Sequence, residues 1–580
     1  MLNRLDVWLQ ENQIMCELQG AFVSRCSSID VSALLQETVS HFTERGESVY
    51  IVLMDVAKAF DSVWSEGLLY KLFNLGIEGR FWRILKSCYE GFKCNVWVNN
   101  QMSGELDVER GVHQGAPLSM RLYQLYNNDL LTELSQSQLC VCTLDLRTGV
   151  SGFADDVAII ALFKYCMNAL LEVARKHSVK WRYNYNAGKF QALCFGKDVA
   201  PDQILQFDDR ELILKPSTKH MGVPLCTNRL EMKKHIIERC EKVKKQVRVM
   251  MSLGGASLPM PPTLGSKIYK TACAPRLMYG LEGCYVDKAA IDELEKAQRH
   301  SAKAIQCMPR QIPNPVPQAT LGWLSAEATL DINKMVFLYH WLTLPIVCIY
   351  KRMAILRLVM FIYGEKRRHE GPLFQAYCTV MKYGIESFVV DALEYGNTIT
   401  LKQFKKLAWR AVTEREYSKW EATVLLYRGI KLFRECFPRT QVCIWWKVSY
   451  CRPRLCKATQ AILWLICGKY SMHGDQGQTL NPSRRCPLCE EYDADNVPHL
   501  LFVCTYFSGL RDSLWDNVLD KMPMPMRQHV LGLNVEDRTR FILSGFNAKF
   551  TREWLDLYGA IAIFAHCLYV KKLCAHINVM

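Results

Sequence analysis

No uninterrupted apolar run in this 580-residue sequence reaches the length of a bilayer, so no membrane-spanning helix is expected. WLTLPIVCIY at 341–350 runs into Lys351 and Arg352, and YGAIAIFAHCLYV at 558–570 is short of the about 20 apolar residues that a spanning helix needs. The first residues, MLNRLDVWLQENQ, carry no apolar h-region, so no secretory signal is visible. Neither an internal repeat nor a long low-complexity tract is present, which leaves no sign of a solenoid or a disordered scaffold. Acidic residues are the minority, 57 against 72 Lys and Arg, for a net charge of +15. That balance favours an anionic partner, nucleic acid first, although a basic chain can also simply be a soluble one. These features predict a soluble protein of the nucleus and cytoplasm with no membrane partner.

Cysteine, by contrast, is plentiful: 25 residues, scattered. Without a secretory signal they are better read as reduced core residues or metal ligands than as disulfides. Half the residues are hydrophobic and 11% aromatic, enough for real cores, and the length suggests several domains.

Strands and helices mix over the first 225 residues. VSALLQETVSHFTER has helical spacing, and ESVYIVLMDV reads as a buried strand ending at Asp55. WSEGLLYKLFNLGI, FWRILKSCYEGF and MRLYQLYNNDLLTEL are helical, CNVWVNNQMSGELDVERGV is a hairpin, and a helix near 165–180 precedes a short strand at QALCFG. Beyond about 230 the pattern is mostly helical. RLEMKKHIIERCEKVKKQVRVMMS is a basic amphipathic helix expected to stop at Gly254 and Gly255.

Within SGFADDVAIIAL, Asp155 and Asp156 stand side by side between two apolar runs. The pair is either a solvated hairpin turn or a set of hard oxygen ligands for a divalent cation. Two further segments bear on the choice: MDVAKAFDSV, with Asp55 at a strand end, and RGVHQGAPLSMRLY, a Gly/Pro-broken loop that opens a helix. The ordered set, strand-end Asp, QGxPLS, then Asp-Asp at a hairpin, is far more specific than any member alone.

On these segments the chain resembles the reverse transcriptases of non-LTR (LINE-type) retrotransposons: DVAKAFDSV, GVHQGAPLS and FADD match palm motifs A, B and C. NYNAGKFQALCFG resembles motif D and HMGVPL motif E, while KIYKTACAPRLMYGLEGC, LEKAQRHSAKAI and LGWLS resemble the thumb region. The resemblance implies an α+β right-hand polymerase, with partial fingers and an antiparallel palm over 1–225 and a helical thumb over 226–330. A helical basic connector over 331–480 and a C-terminal region over 481–580 would follow. It further implies RNA-directed DNA synthesis with dNTPs on an RNA template, from a primer at target DNA, by two-metal nucleotidyl transfer. Asp55, Asp155 and Asp156, with the Val56 carbonyl, would hold two Mg²⁺ ions.

Phe60 falls where this family places the bulky residue under the sugar; apart from the motif it could equally be core. Gln114 and Gly115 fall where motif B meets the template and nascent base pair, and Pro117 would stiffen that loop. His113 replaces a more usual Arg and has no assigned role. Lys189 matches the motif D lysine, a candidate acid for pyrophosphate, or is a solvated lysine. Asp61 could cap the next helix. Lys233, Lys234, Lys242, Lys244, Lys245 and Arg248 could track a phosphate backbone or form a solvated face.

CPLCEEYDADNVPHLLFVC arranges Cys486, Cys489, His499 and Cys504 as C-x2-C-x9-H-x4-C. That spacing suits one tetrahedral, structural Zn²⁺, the alternative being four buried residues of a helical hairpin. It resembles the zinc knuckle that follows LINE-type reverse transcriptases.

The sequence also departs from the family. LNRLDVWLQENQ resembles the middle of the fingers, so the cations that clamp the triphosphate are expected to be missing. In GAFVSRCSS, Val23 and Cys26 stand where arginines are usual, and Arg25 remains. No endonuclease pattern is evident. The chain therefore resembles an N-terminally truncated reading frame, and a weak or inactive remnant that only binds nucleic acid is the alternative function. A viral RNA-dependent RNA polymerase is a more distant one, opposed by Phe60 and by Ala154, where that class usually has Gly. Nothing in the sequence sets the oligomeric state.

Overall fold

Val49–Met54 is rich in β-branched residues and forms strand β1. Successive residues of a strand point to opposite faces, yet Val49, Tyr50, Ile51 and Val52 are all buried, so both faces of the sheet are covered. The computed structural model describes residues 1–580 apart from Phe92, Glu109, 197–203, 254–259, 365–368, 397–398, 438–440, 469–485, Pro487, 492–495, 547–549 and Met580. In it β1 lies within a four-stranded antiparallel sheet with β2 (Val150–Phe153), β3 (Asp156–Ala161) and β4 (Gln191–Phe195), in the order β4–β1–β3–β2. Helices Ser28–Thr43, Pro117–Gln136 and Lys164–Lys180 pack against it. Leu35, Val39 and Phe42 of the first helix share a core with Val49, Ile51, Ile160 and Leu193.

Local chemistry sets the boundaries. Ser27 caps helix Ser28–Thr43 while Asp30 returns a bond to the Ser27 backbone, a capping box. The expected hairpin forms with Trp97–Val98 paired to Gln101–Met102. Its two turn residues, Asn99 and Asn100, have φ of 49° and 60°, the type I′ signs whose twist suits a two-residue hairpin. Asp61 does not cap the next helix: that helix starts at Ser65 behind Trp64 and has no side-chain cap.

Contacts divide the chain into two units. One comprises Met1–His235, Tyr279–Asp287 and Leu330–Trp409; the other comprises Ile236–Met278, Lys288–Thr329 and Arg410–Met580. Segment 331–480, read from sequence as one connector, is thus shared between them. In the first unit, buried Arg357 donates to Glu37 Oε1 (2.6 Å) and Glu44 Oε1 (2.7 Å), tying helix Ile349–Tyr363 to helix Ser28–Thr43 and the residue that ends it. Burial pushes the Glu37 carboxyl up against the opposing pull of Arg357.

The second unit is helical. Ile236, Cys240, Val243 and Val247 are the buried stripe of the part of helix Arg229–Ser252 that lies in this unit, and the expected stop at Gly254 and Gly255 lies outside the described residues. Trp445 and Trp446 are fully buried, and their indoles donate to Leu543 O and Gln306 Oε1, both at 2.8 Å. Sequence 558–570 belongs to a longer helix, Leu555–Val579, and Leu555–Ala575 is long and apolar enough to cross a membrane by length and composition. The short-run expectation fails because flanking residues extend the helix at both ends. It packs against helices Cys456–Ile466 and Ser508–Asp520, and Ile561, Phe564 and Leu568 are fully buried.

Candidate active site

The ladder between β1 and β3 pairs Met54 with Val157. One step further, the same register sets Asp55 at the end of β1 opposite Asp156, the first residue of β3. A two-residue turn, Ala154–Asp155, joins β2 to β3. Three carboxylates from positions 55, 155 and 156 are thereby gathered at one end of the sheet.

Their electrostatics follow from that crowding. Burial, then the charges of Asp155 and Asp55, push the Asp156 carboxyl up to about 6. Burial also raises Asp155, with Asp55 adding to the rise and Lys189 opposing it. Asp55 Oδ2 is buried without a hydrogen-bond partner, and Lys189 Nζ stands 3.3 Å from it without hydrogen-bond alignment. Crowded, repelling carboxylates of which one buried oxygen has only the Lys189 ion pair and no hydrogen bond are a donor set that suits a hard divalent cation.

Lys189 reaches this place because segment 184–186 runs alongside 55–57. Asn186 N donates to Asp55 O at 2.8 Å, Ala57 N donates to Asn184 O at 2.9 Å, and Val56 bridges to Tyr185. Lys189 follows in a short 3-10 turn, with its side chain 66% exposed. Asp55, Asp156, Lys189, Lys219 and His220 line a cleft of about 640 Å³.

The loop before helix Pro117–Gln136 lies along the segment after Asp55. Gly111 N donates to Val63 O and Val112 N to Phe60 O. Gln114 Nε2 donates to Asp61 Oδ1 at 2.6 Å, and Gly115 holds φ +85° with open space around it. Phe60 is half-buried and stacks on Tyr123, ring centroids 4.9 Å apart. His113 stacks on Tyr89.

Two participants escaped sequence reasoning. Tyr123 sits on the buried side of its helix, where an aromatic reads as core. Gln19, 2% exposed, accepts from Ala154 N through Oε1 at 3.0 Å; a lone amide in LQG carries no motif. Ala154 has φ +58°, a left-handed conformation costing an L residue roughly 1–2 kcal/mol. Arg25, the remaining cation of GAFVSRCSS, donates to Thr343 O and Oγ1 at 3.0 and 2.6 Å.

In the second unit the four sequence-predicted ligands converge. Their ligand atoms all lie within 4.8 Å of one another, with Cys486 Sγ 3.9 Å from Cys504 Sγ and Cys489 Sγ 3.3 Å from His499 Nε2. His499 Nδ1 lies 3.7 Å from Glu491. Burial and the neighbouring thiols push Cys504 up to about 12. The six basic residues of helix Arg229–Ser252 lie on its half-buried and exposed positions, with Lys234 paired to Glu231 and Lys244 to Glu241.

A family model described as reverse transcriptase (RNA-dependent DNA polymerase) matches residues 1–238. The RNA-directed DNA polymerase from mobile element jockey of Drosophila funebris is 26% identical over 250 residues, covering 41% of this chain and 26% of that protein. The Transposon TX1 uncharacterized 149 kDa protein of Xenopus laevis is 27% identical over 243 residues, covering 40% of this chain and 18% of that protein. The match thus spans 26% and 28% of the length of the jockey polymerases of two Drosophila species. Among solved structures, telomerase from Candida albicans aligns over 58% of this chain and 53% of its own at 13% identity and a TM-score of 0.29.

Proposed function

Residues 1–238 are a reverse-transcriptase domain of the kind carried by non-LTR (LINE-type) retrotransposons, and from that premise we propose that this chain is an RNA-directed DNA polymerase copying element RNA from a primer at target DNA. The observation that carries the proposal is the register of β1 on β3, which faces Asp55 with Asp156 and leaves a buried carboxylate oxygen without a hydrogen bond. Asp55, Asp155, Asp156 and the Val56 carbonyl would hold two Mg²⁺ ions. Bound there, the ions stabilise charge on the attacking and leaving oxygens of an in-line displacement.

The remaining steps belong to side chains. Lys189 Nζ would give a proton to the leaving pyrophosphate, a role supported by its nearness to Asp55 and its exposure to the cleft. The Phe60 ring, backed by Tyr123, would exclude a 2′-OH and so select dNTPs. Gln114 and Gly115 would face the nascent base pair, with Gln114 fixed by Asp61. Cys486, Cys489, His499 and Cys504 would hold one structural Zn²⁺, closing a fold that contributes to nucleic-acid binding. Fingers, palm and thumb are assigned to the segments named from sequence.

Primer extension on an RNA template with Mg²⁺ and dNTPs tests the proposal. Template-directed DNA should form, and Asp155→Asn should reduce the rate by about 10² or more, as for loss of a preorganised charge-stabilising group. Extension that survives Asp155→Asn would refute it.

A second reading, an RNA-binding protein with little catalysis, draws on Arg25, whose guanidinium is engaged by Thr343 rather than turned to a triphosphate. Salt-dependent RNA binding without extension would favour it.

A further inference from the structure

A two-residue hairpin turn with positive φ at its first central residue alone favours glycine there. In the turn Ala154–Asp155 that residue is Ala154, at φ +58°. Its methyl group makes the conformation unfavourable by itself, so something must hold it. Gln19 does. Its side-chain oxygen accepts from Ala154 N at 3.0 Å and from Ala21 N at 3.1 Å. Both partners are backbone donors, so only the amide oxygen can occupy that position.

The amide is delivered from a fixed segment. Gly20 N donates to Gly152 O at 2.9 Å and Gly152 N to Leu18 O at 3.0 Å, and Gln19 bridges to Gly152 in parallel, so residues 18–20 extend the sheet beside β2. A Cβ on Gly152 would lie 2.7 Å from Leu131 Cδ1 and 3.2 Å from Gln19 Nε2, so this segment packs closely against side-chain ends that would have to shift to admit one. Gln19 Nε2 is meanwhile buried without a hydrogen-bond partner. An unsatisfied donor costs stability that an apolar residue of the same size would not, which marks the oxygen as the reason for a glutamine here.

We infer that Gln19 is a positioning residue that locks the Ala154–Asp155 turn and so aims Asp155 and Asp156 at Asp55, an assignment that rests on these carboxylates forming the catalytic site. It acts through backbone and touches no reacting atom.

The test combines Gln19→Met, which removes the acceptor at similar size, with Ala154→Gly, which removes the steric reason for needing it. Hydrogen–deuterium exchange of the peptide spanning 150–157 reads the turn directly. Gln19→Met should speed exchange about tenfold or more, and the Gln19→Met/Ala154→Gly pair should bind Mn²⁺ nearly as the unmodified protein does. Gln19→Met alone should weaken Mn²⁺ binding by about tenfold and lower kcat with little change in KM for dNTP. Unchanged exchange in Gln19→Met overturns the inference, as does a failure of Ala154→Gly to restore Mn²⁺ binding. Should Gln19→Met not fold, Gln19→Met/Ala154→Gly and slow exchange of Ala154 N–H in the unmodified protein carry the same test. Absence of Mn²⁺ binding sensitive to Asp155→Asn would instead count against the catalytic carboxylates, while the exchange arm still decides the role of Gln19.

Discussion

Phe60 illustrates how far one side chain can be understood from sequence. Its position after Asp55 raised a choice between core and a selector of the sugar. Its geometry serves both: the ring is half-buried at the edge of a core that includes Tyr123, Leu122 and Val112, and it stacks on Tyr123 at 4.9 Å. A ring fixed from behind excludes an added hydroxyl more firmly than a mobile one. Phe60→Ala is therefore expected to raise ribonucleotide use relative to dNTP use by about tenfold or more, with dNTP incorporation little changed. Steady-state incorporation of matched rNTP and dNTP measures this, and an unaltered ratio would reduce Phe60 to a core residue. Tyr123 was not legible beforehand. It occupies a helix position that any large apolar residue could fill, and its relation to Phe60 depends on the fold.

At the scale of elements, legibility follows sequence separation. The C-x2-C-x9-H-x4-C segment was readable because its ligands lie close together in the chain, and the spacing survives into space. A tetrahedral ion with Zn–S near 2.3 Å separates two sulfurs by about 3.8 Å, and Cys486 and Cys504 are 3.9 Å apart. With burial and the neighbouring thiols holding Cys504 up at about 12, a cation is needed to keep that thiolate ionised. One zinc per chain is expected by metal quantitation, and Cys486→Ser should lose most of it; full occupancy in that variant would break the assignment. Strand β1, the Asn99–Asn100 turn and the helices around the sheet were likewise marked by local pattern. The bond from Gln19 to Ala154 was not, since it joins segments more than a hundred residues apart and no motif marks it, whereas Lys189 and the three aspartates, as widely separated, were named through the ordered motifs. Asp61 shows the opposite failure. A capping role was available locally, but the helix begins beyond it and the carboxylate is taken by Gln114.

For the molecule as a whole, polar groups buried between distant segments couple stability to pH, and the first unit holds the clearest case. Helix Ser28–Thr43 carries His41, and its Ser32 hydroxyl lies 3.0 Å from His220 Nδ1. Burial lowers His220 to about 4; burial, then Arg45 and Arg357, lower His41 to about 3. Both folded values lie below the ordinary 6.5, so below that pH the unfolded chain takes up protons that the folded chain refuses. Their contribution is complete above about pH 6.5 and is lost as pH falls toward 4 and 3. At pH 5 His220 alone accounts for a loss of roughly 2 kcal/mol. Glu37 and Asp156 act in the other direction, because their raised carboxyls cost stability when ionised and are relieved by acid. None of this was visible in the sequence: Glu37 and Arg357 are 320 residues apart, and Ser32 and His220 are 188 apart. Through His220 and His41, thermal unfolding of the first unit should move to lower temperature between pH 7 and pH 5. His220→Asn, unable to take up the proton, should flatten that decline even if its stability at pH 7 is lower. An equally steep decline in His220→Asn, followed by circular dichroism across the same pH range, would place the acid sensitivity elsewhere than in this histidine.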